Sequence, residues 1–240
     1  MMWRIGILLL GGLLSSAAVA SEGGTVYDFS ANLSNQRSLQ RGFALFMNYC
    51  SGCHSLKYLR YERVSEDLNI PEAIMEENLM FADVQMGAHI ETGLPDRSAD
   101  WFGKAPPDLS LAARHRGAAW VYSFLLTFYL DPDSTSGVNN LQFPNTAMPA
   151  VVAPLQGFQK LVDEAHGHEG EGPQFKLVQK GRLSPAEYER AAADLTNFLV
   201  YAGEPVKLFR YALGGKVIAF LIFFTVLAWL LKREFWRDVH

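Results

Sequence analysis

From Gln36 to Tyr49 the apolar residues Leu39, Phe43, Phe46 and Met47 fall on one face of a helix, which runs directly into Cys50. A second apolar run, Ala118 to Leu130, is aromatic-rich and long enough for a helix, and Asp131-Pro132-Asp133-Ser134 closes it with turn residues. The third periodic stretch follows Ser184-Pro185-Ala186-Glu187, with Ser at the N-cap, Pro at the first helical position and Glu at the third. Behind that start, Tyr188, Ala191, Ala192, Leu195, Phe198 and Leu199 form one stripe, which Gly203-Glu204-Pro205 ends. This helix is expected to pack across the helix before Cys50. The stretches between read as loops: a polar lead-in from Ser21 to Asn35, the proline-rich Pro95–Asp108, and Leu161–Gly181 with its H-G-H-E-G-E-G-P run. Ala105-Pro106-Pro107-Asp108-Leu109-Ser110 is expected to make a rigid turn leading into a helix N-cap.

Both ends of the chain are apolar without a period. Val217 to Leu231 holds 15 residues without a charge, and Tyr211–Gly215 lengthens the run to 21 with only Lys216 interrupting. That is the length of a membrane span. Lys216 can snorkel, Trp229, Phe235 and Trp236 suit an aromatic belt, and Lys232-Arg233 follow as a stop. At the other end, Arg4, the apolar Ile5–Leu14 and Ala18-Val19-Ala20 read as a signal peptide cut after Ala20. The expected division is a signal peptide at 1–20, a soluble domain at 21–206, an anchor at 207–231 and a tail at 232–240. The signal places the soluble domain outside the cytoplasm. Loop charge does not decide orientation, because Lys207, Arg210 and Lys216 before the span balance Lys232, Arg233 and Arg237 after it.

The hydrophobic content of 49%, at a mean hydropathy of +0.03, suits a globular protein with apolar appendages. Residues 21–212 carry 16 Lys+Arg against 23 Asp+Glu, a net −7, which argues against nucleic acid and for a basic protein partner. Glu62, Glu66, Asp67, Glu72, Glu76 and Glu77 concentrate that charge, either as a solvated face or as a docking patch that steers a basic redox partner.

The chemistry centres on Cys50-Ser51-Gly52-Cys53-His54, the C-x-x-C-H pattern of covalent heme attachment. Two thiols three positions apart can close thioether bonds to the two heme vinyl groups, and the adjacent imidazole supplies a proximal iron ligand. The chain has 2 cysteines in all, so both serve here or nowhere. A thioredoxin-like pair would need a βαβ pattern around it, which is missing. A zinc site would need further ligands, and His166 and His168 have the wrong spacing. Candidates for the opposite iron ligand are Met47, Met75, Met80, Met86, Met148, His89, His115, His166 and His168. Met148 stands out because Asn145-Thr146-Ala147-Met148-Pro149 is a loop stiffened by Pro144 and Pro149, not an apolar helix face. A thioether ligand there would raise the potential and suit electron transfer. Arg114 and Arg116 are candidates to pair with heme propionates, since a guanidinium fork matches a carboxylate.

In sequence order, C-S-G-C-H, A-P-P-D-L-S, M-P, F-L-x-x-x-G-E-P and a terminal span ending K-R-E-F-W resemble the cytochrome c1 family, the heme subunits of the cytochrome bc1 complex. The resemblance covers nearly all of the chain after the signal peptide. It implies an all-α, class I cytochrome c-type domain with long loop insertions, one covalent heme c and one C-terminal transmembrane helix. It implies thioethers at Cys50 and Cys53, His54 as proximal and Met148 as distal ligand. Pro107 is expected among the heme-binding residues, and a propionate contact at Arg116 or Arg114. The implied partners are cytochrome b, a Rieske iron–sulfur protein as donor and a cytochrome c acceptor, in a dimeric complex on the periplasmic face of a bacterial inner membrane. The competing readings are a membrane-anchored cytochrome c of another respiratory system, such as an oxidase subunit, and a non-heme metal-binding or adhesion protein.

Overall fold

A computed structural model describes residues 25–162 and 173–239. The signal peptide at 1–20 and the histidines at 166 and 168 lie outside the described residues. The helices are α1 (Gln36–Tyr49), α2 (Tyr61–Leu68), α3 (Glu72–Asn78), α4 (Ala99–Phe102), α5 (Ala112–Arg116), α6 (Ala118–Leu126), α7 (Ala153–Gln156), α8 (Pro185–Gly203) and α9 (Lys207–Phe235). Antiparallel strand pairs fill some of the connections: β1 (Leu56–Arg60) with β2 (His89–Ile90), β3 (Phe128–Leu130) with β4 (Val138–Asn140), and β5 (Gly157–Leu161) with β6 (Phe175–Lys180).

The α1 and α8 helices form where the apolar periodicity places them, and they cross in close contact. Phe43, Phe46 and Phe198 are fully buried between them, with ring centroids 5.2 Å and 5.9 Å from Phe198. Burying such a side chain is worth about 2 kcal/mol. The crossing is tight enough that a Cβ on Gly42 would lie 2.7 Å from the Phe198 Cβ and drive into the carbonyl of Asp194. Asp194 is itself buried and fully engaged. It accepts from Ser38 Oγ at 2.6 Å and, bidentately, from Arg41 Nε and Nη2 at 2.6 and 2.9 Å. A buried carboxylate needs such partners, because its lost hydration is replaced only by donors of this kind. Ser184 and Glu187 close the start of α8 as a capping box, which satisfies first-turn donors. Tyr188 then ties α8 to α6 by donating to the Leu125 carbonyl at 2.7 Å. The lead-in segment is strapped to the same helices, with Phe29 stacked on Tyr122 at 4.6 Å and the Asn32 amide donating to Asn197 Oδ1 at 2.9 Å.

Two stretches differ from the sequence expectation. The apolar run from Ala118 stops being helical at Leu126, and Phe128–Leu130 pairs with Val138–Asn140 as a hairpin. The cause is local polar competition. Thr127 Oγ1 donates back to Ser123 O at 2.8 Å, and Asn140 Nδ2 donates to the Phe124 carbonyl at 2.8 Å, an acceptor the next helical turn would use. The Leu161–Gly181 stretch is not loop throughout: Phe175–Lys180 pairs with β5, and Gln159 Nε2 holds β5 to the Leu126 and Phe128 carbonyls at 3.0 and 2.8 Å.

Helix α9 runs 29 residues, about 43 Å at helical rise. Its best 18-residue window has a mean hydropathy of 2.1 and none of it is buried in the protein, so it is neither a core helix nor an N-terminal signal. It extends four residues past Leu231, the expected end of the anchor, to Phe235.

Replacing Gly42 with Ala is expected to force α1 and α8 apart and destabilise the soluble domain by about 3 kcal/mol, read as a lowered unfolding midpoint in denaturant.

Candidate heme site

The α1 helix delivers the C-x-x-C-H turn. Cys50 is its C-cap, its amide still donating to Phe46 O at 2.8 Å, and Ser51 shares that acceptor at 3.0 Å. The Cys53 and His54 amides both fold back onto the Cys50 carbonyl, at 3.0 and 2.8 Å. One carbonyl therefore gathers the two sulfurs and the imidazole into a single turn. Cys50 and Cys53 are free thiols, the first buried and the second partly exposed. Burial, with Cys53 beside it, pushes the Cys50 thiol up to about 12, so it stays protonated at neutral pH. Among the described residues no group of three or more His, Cys, Asp or Glu side chains could hold a metal ion.

His54 is 8% exposed, and its Nδ1 lies 2.7 Å from the Pro107 carbonyl. A carbonyl oxygen only accepts, so the proton sits on Nδ1 and Nε2 keeps its lone pair. Burial lowers the imidazole pKa most strongly, opposed by the Pro107 hydrogen bond and the Asp108 charge. A neutral, oriented imidazole beside two unpaired thiols is the donor set that a covalent heme requires, and the residues present fit that group.

Pro107 thus belongs to the site through His54. The Ala105–Ser110 stretch does not lead into a side-chain N-cap as expected: α5 begins at Ala112 without a side-chain cap bond, and the Asp108 carboxylate binds the backbone of Lys57 and Ser110. Those contacts, with Ser110 on Tyr58 and Thr92 on Gly52, surround the heme-binding turn and were not revealed by the periodicity. The only signal available was the unusual density of Asp and Ser directly after two prolines.

The two arginines separate in space. Arg116 lies over the rings of Trp120 and Phe143, with centroids 5.0 and 5.8 Å away. Phe143 belongs to the segment that carries Met148, so Arg116 is brought to that segment. Arg114 is exposed and faces the end of α8 near Gly203. There its charge helps to hold the Glu204 carboxyl low, a shift due first to the Arg210 hydrogen bond. Met148 is partly buried in a shaped loop. Asn145 adopts φ +59° while its amide donates to Asn139 Oδ1 at 2.8 Å, and the Met148 amide donates to the buried Thr146 Oγ1 at 3.3 Å. Asparagine tolerates this left-handed backbone better than most residues.

The sequence profile of the Cytochrome C1 family matches residues 28–99 and 95–239. A cytochrome c1 of Allochromatium vinosum is 48% identical over 234 residues, covering 95% of this chain and 96% of its own. A Nitrosomonas europaea protein named ammonia monooxygenase gamma subunit is 40% identical over 244 residues, covering 100% of each chain. The mitochondrial cytochrome c1 heme protein of Schizosaccharomyces pombe is 30% identical over 229 residues, 84% of this chain and 67% of its own. Among solved structures, a chain of a hyperthermophilic respiratory complex III aligns over 100% of this chain and 97% of its own at a TM-score of 0.45 and 16% identity, too distant to add to these. With the family profile running to residue 239 and nearly half of all aligned positions shared with the Allochromatium protein, this chain belongs to the cytochrome c1 family, membrane-anchored electron-transfer proteins of the bc1 complex that carry one covalent heme c.

Proposed function

We propose that this chain relays single electrons from a Rieske iron–sulfur protein to a cytochrome c, beside cytochrome b in a dimeric bc1 complex, with its heme domain on the periplasmic side of a bacterial inner membrane. The observation that carries the reading is the His54 imidazole, whose Nδ1 proton is committed to Pro107 O and whose Nε2 is left for iron. When bound, the heme supplies a one-electron couple.

The residues of the chain do the rest. Cys50 and Cys53 would tether the heme through thioethers, and His54 through Nε2 and Met148 through its thioether would hold the iron, a soft sulfur favouring the reduced state and leaving no position for oxygen chemistry. Arg116 is the better propionate partner. Its guanidinium carbon sits over two rings, a cation–π contact that holds the side chain while its N–H groups remain able to bind a carboxylate. Arg114, turned toward Glu204, is the alternative. The proposed signal at 1–20 exports the domain, and the span from 207 holds it at the membrane surface.

The acidic stretch supports a basic acceptor. Glu62, Glu66, Glu72, Glu76 and Glu77 are exposed on α2 and α3. Asp67 is otherwise engaged: it pairs with Arg63 at 2.7 Å and accepts from the Tyr201 hydroxyl at 2.8 Å. The full-length likeness to a protein named for an ammonia monooxygenase supports a second reading, in which the same heme domain serves a monooxygenase system. Co-purification separates the two. A b-type cytochrome and a Rieske protein should accompany this chain, and their replacement by monooxygenase subunits would overturn the first reading.

Two outcomes are expected. Met148→Leu keeps the heme attached, as read by a pyridine hemochrome spectrum, but lowers the midpoint potential; an unchanged potential would move the distal ligand elsewhere. Neutralising Glu66, Glu72, Glu76 and Glu77 together, with Asp67 kept, slows reduction of a basic cytochrome c at low salt by roughly 10-fold or more. A rate and salt dependence equal to the parent's would make that face a solvated surface only.

A further inference from the structure

We infer that Asp108 and Ser110 are positioning residues for His54, setting its electron-donating strength through the Pro107 carbonyl they hold in register. The inference rests on His54 being the proximal ligand, as proposed above.

The Pro107 carbonyl is the partner that orients His54, at 2.7 Å, so whatever fixes that carbonyl fixes the imidazole. Pro106 and Pro107 have no N–H and cannot anchor themselves through a backbone ladder. The anchorage comes from the three residues that follow. Asp108 Oδ2 accepts from the Lys57 amide at 2.9 Å, while its Oδ1 accepts from the Ser110 amide at 2.9 Å. The Leu109 amide donates to Ser55 O at 2.9 Å, and Ser110 Oγ accepts from the Tyr58 amide at 3.2 Å. Residues 55, 57 and 58, directly after His54, are therefore bound in order to residues 109, 108 and 110, directly after Pro107. Ser110 is 0% exposed, so its bond is shielded from competing water.

The opposite side of the turn is held separately. Thr92 donates through Oγ1 to Gly52 O at 2.8 Å, and its amide donates to Ser55 Oγ at 2.9 Å. With the turn pinned there, motion of the 107–110 strap would change the Nδ1–H···O bond more than the backbone of the heme-binding turn. A short bond from Nδ1 and a nearby carboxylate both push electron density onto the ring, making Nε2 a better donor and stabilising the oxidised metal. Asp108 supplies both effects, charge and register. Ser110 supplies register alone.

The test uses the full chain in its purified membrane complex. Asp108→Asn removes the charge and leaves one of the Lys57 and Ser110 amides facing an NH2 in place of an acceptor; Ser110→Ala removes one register bond and keeps the charge. Low-temperature EPR of the oxidised parent is recorded first. A spectrum without histidine ligation would overturn the ligation reading itself, whatever the variants do. With histidine ligation present, Asp108→Asn is expected to shift the midpoint potential upward and move the low-spin g-values, with heme content unchanged. Ser110→Ala is expected to shift both in the same direction by less. Potentials and g-values equal to the parent's in variants that retain heme would overturn the positioning role and leave the ligation reading intact. If Asp108→Asn does not accumulate, Ser110→Ala alone decides by the same criteria.

Discussion

A glycine Cα pressed against the backbone of a neighbouring helix is the constraint from which the heme domain follows. At Gly42 the crossing of α1 and α8 admits no side chain. That closeness lets Phe43, Phe46 and Phe198 seal the core and brings Ser38, Arg41 and Asn197 around the carboxylate-centred polar cluster at Asp194. The polar cluster adds direction to the apolar contact. Hydrophobic burial alone would tolerate rotation of one helix over the other, whereas a bidentate Arg41–Asp194 pair and an Asn197–Ser38 bond hold one register. Because α1 is fixed at its middle, its last turn is fixed too, and Cys50 to His54 begin from a defined point and direction.

From there the site is built by backbone carbonyls with assigned donors. The Cys50 carbonyl gathers the amides of Cys53 and His54, and the Pro107 carbonyl takes the imidazole proton. Burial penalises an imidazolium, so the ring is kept neutral, which is the form a metal needs. The surrounding polar groups, Asp108 and Ser110, bind the backbone of the strap and of the segment after His54. An imidazole held in one orientation by a backbone carbonyl is preorganised. The membrane helix contributes by location. With no side chain of α9 buried in the protein, its apolar surface requires lipid or a partner helix.

The sequence made much of this legible, for identifiable reasons. Leu39, Phe43, Phe46 and Met47 revealed α1 because a one-sided helix must repeat its apolar residues at 3.6. Ser184 and Glu187 revealed the start of α8 because an N-cap needs a hydroxyl and a carboxylate at that spacing. Phe128–Leu130 was misread because an apolar run shows burial without showing geometry, and the decision came from Asn140, twelve residues beyond Phe128, capturing the Phe124 carbonyl. Phe175–Lys180 was hidden because a Gly- and Glu-rich stretch next to it carries a loop composition, while its strand pairing depends on β5.

By itself the sequence determined the chemistry: two thiols and an imidazole within five residues, a thioether in a proline-flanked loop, and an apolar span at the end. These are covalent or compositional facts that need no partner residue to be recognised. Only the tertiary structure decided the state of each group. It put the proton of His54 on Nδ1 through Pro107, gave Asp108 to the backbone after His54, set Arg116 against Trp120 and Phe143, and turned Arg114 toward the end of α8. Apart from the Arg116–Trp120 contact, four positions apart, each of these joins residues dozens of positions apart, and such contacts exist only once the core around Gly42 has closed.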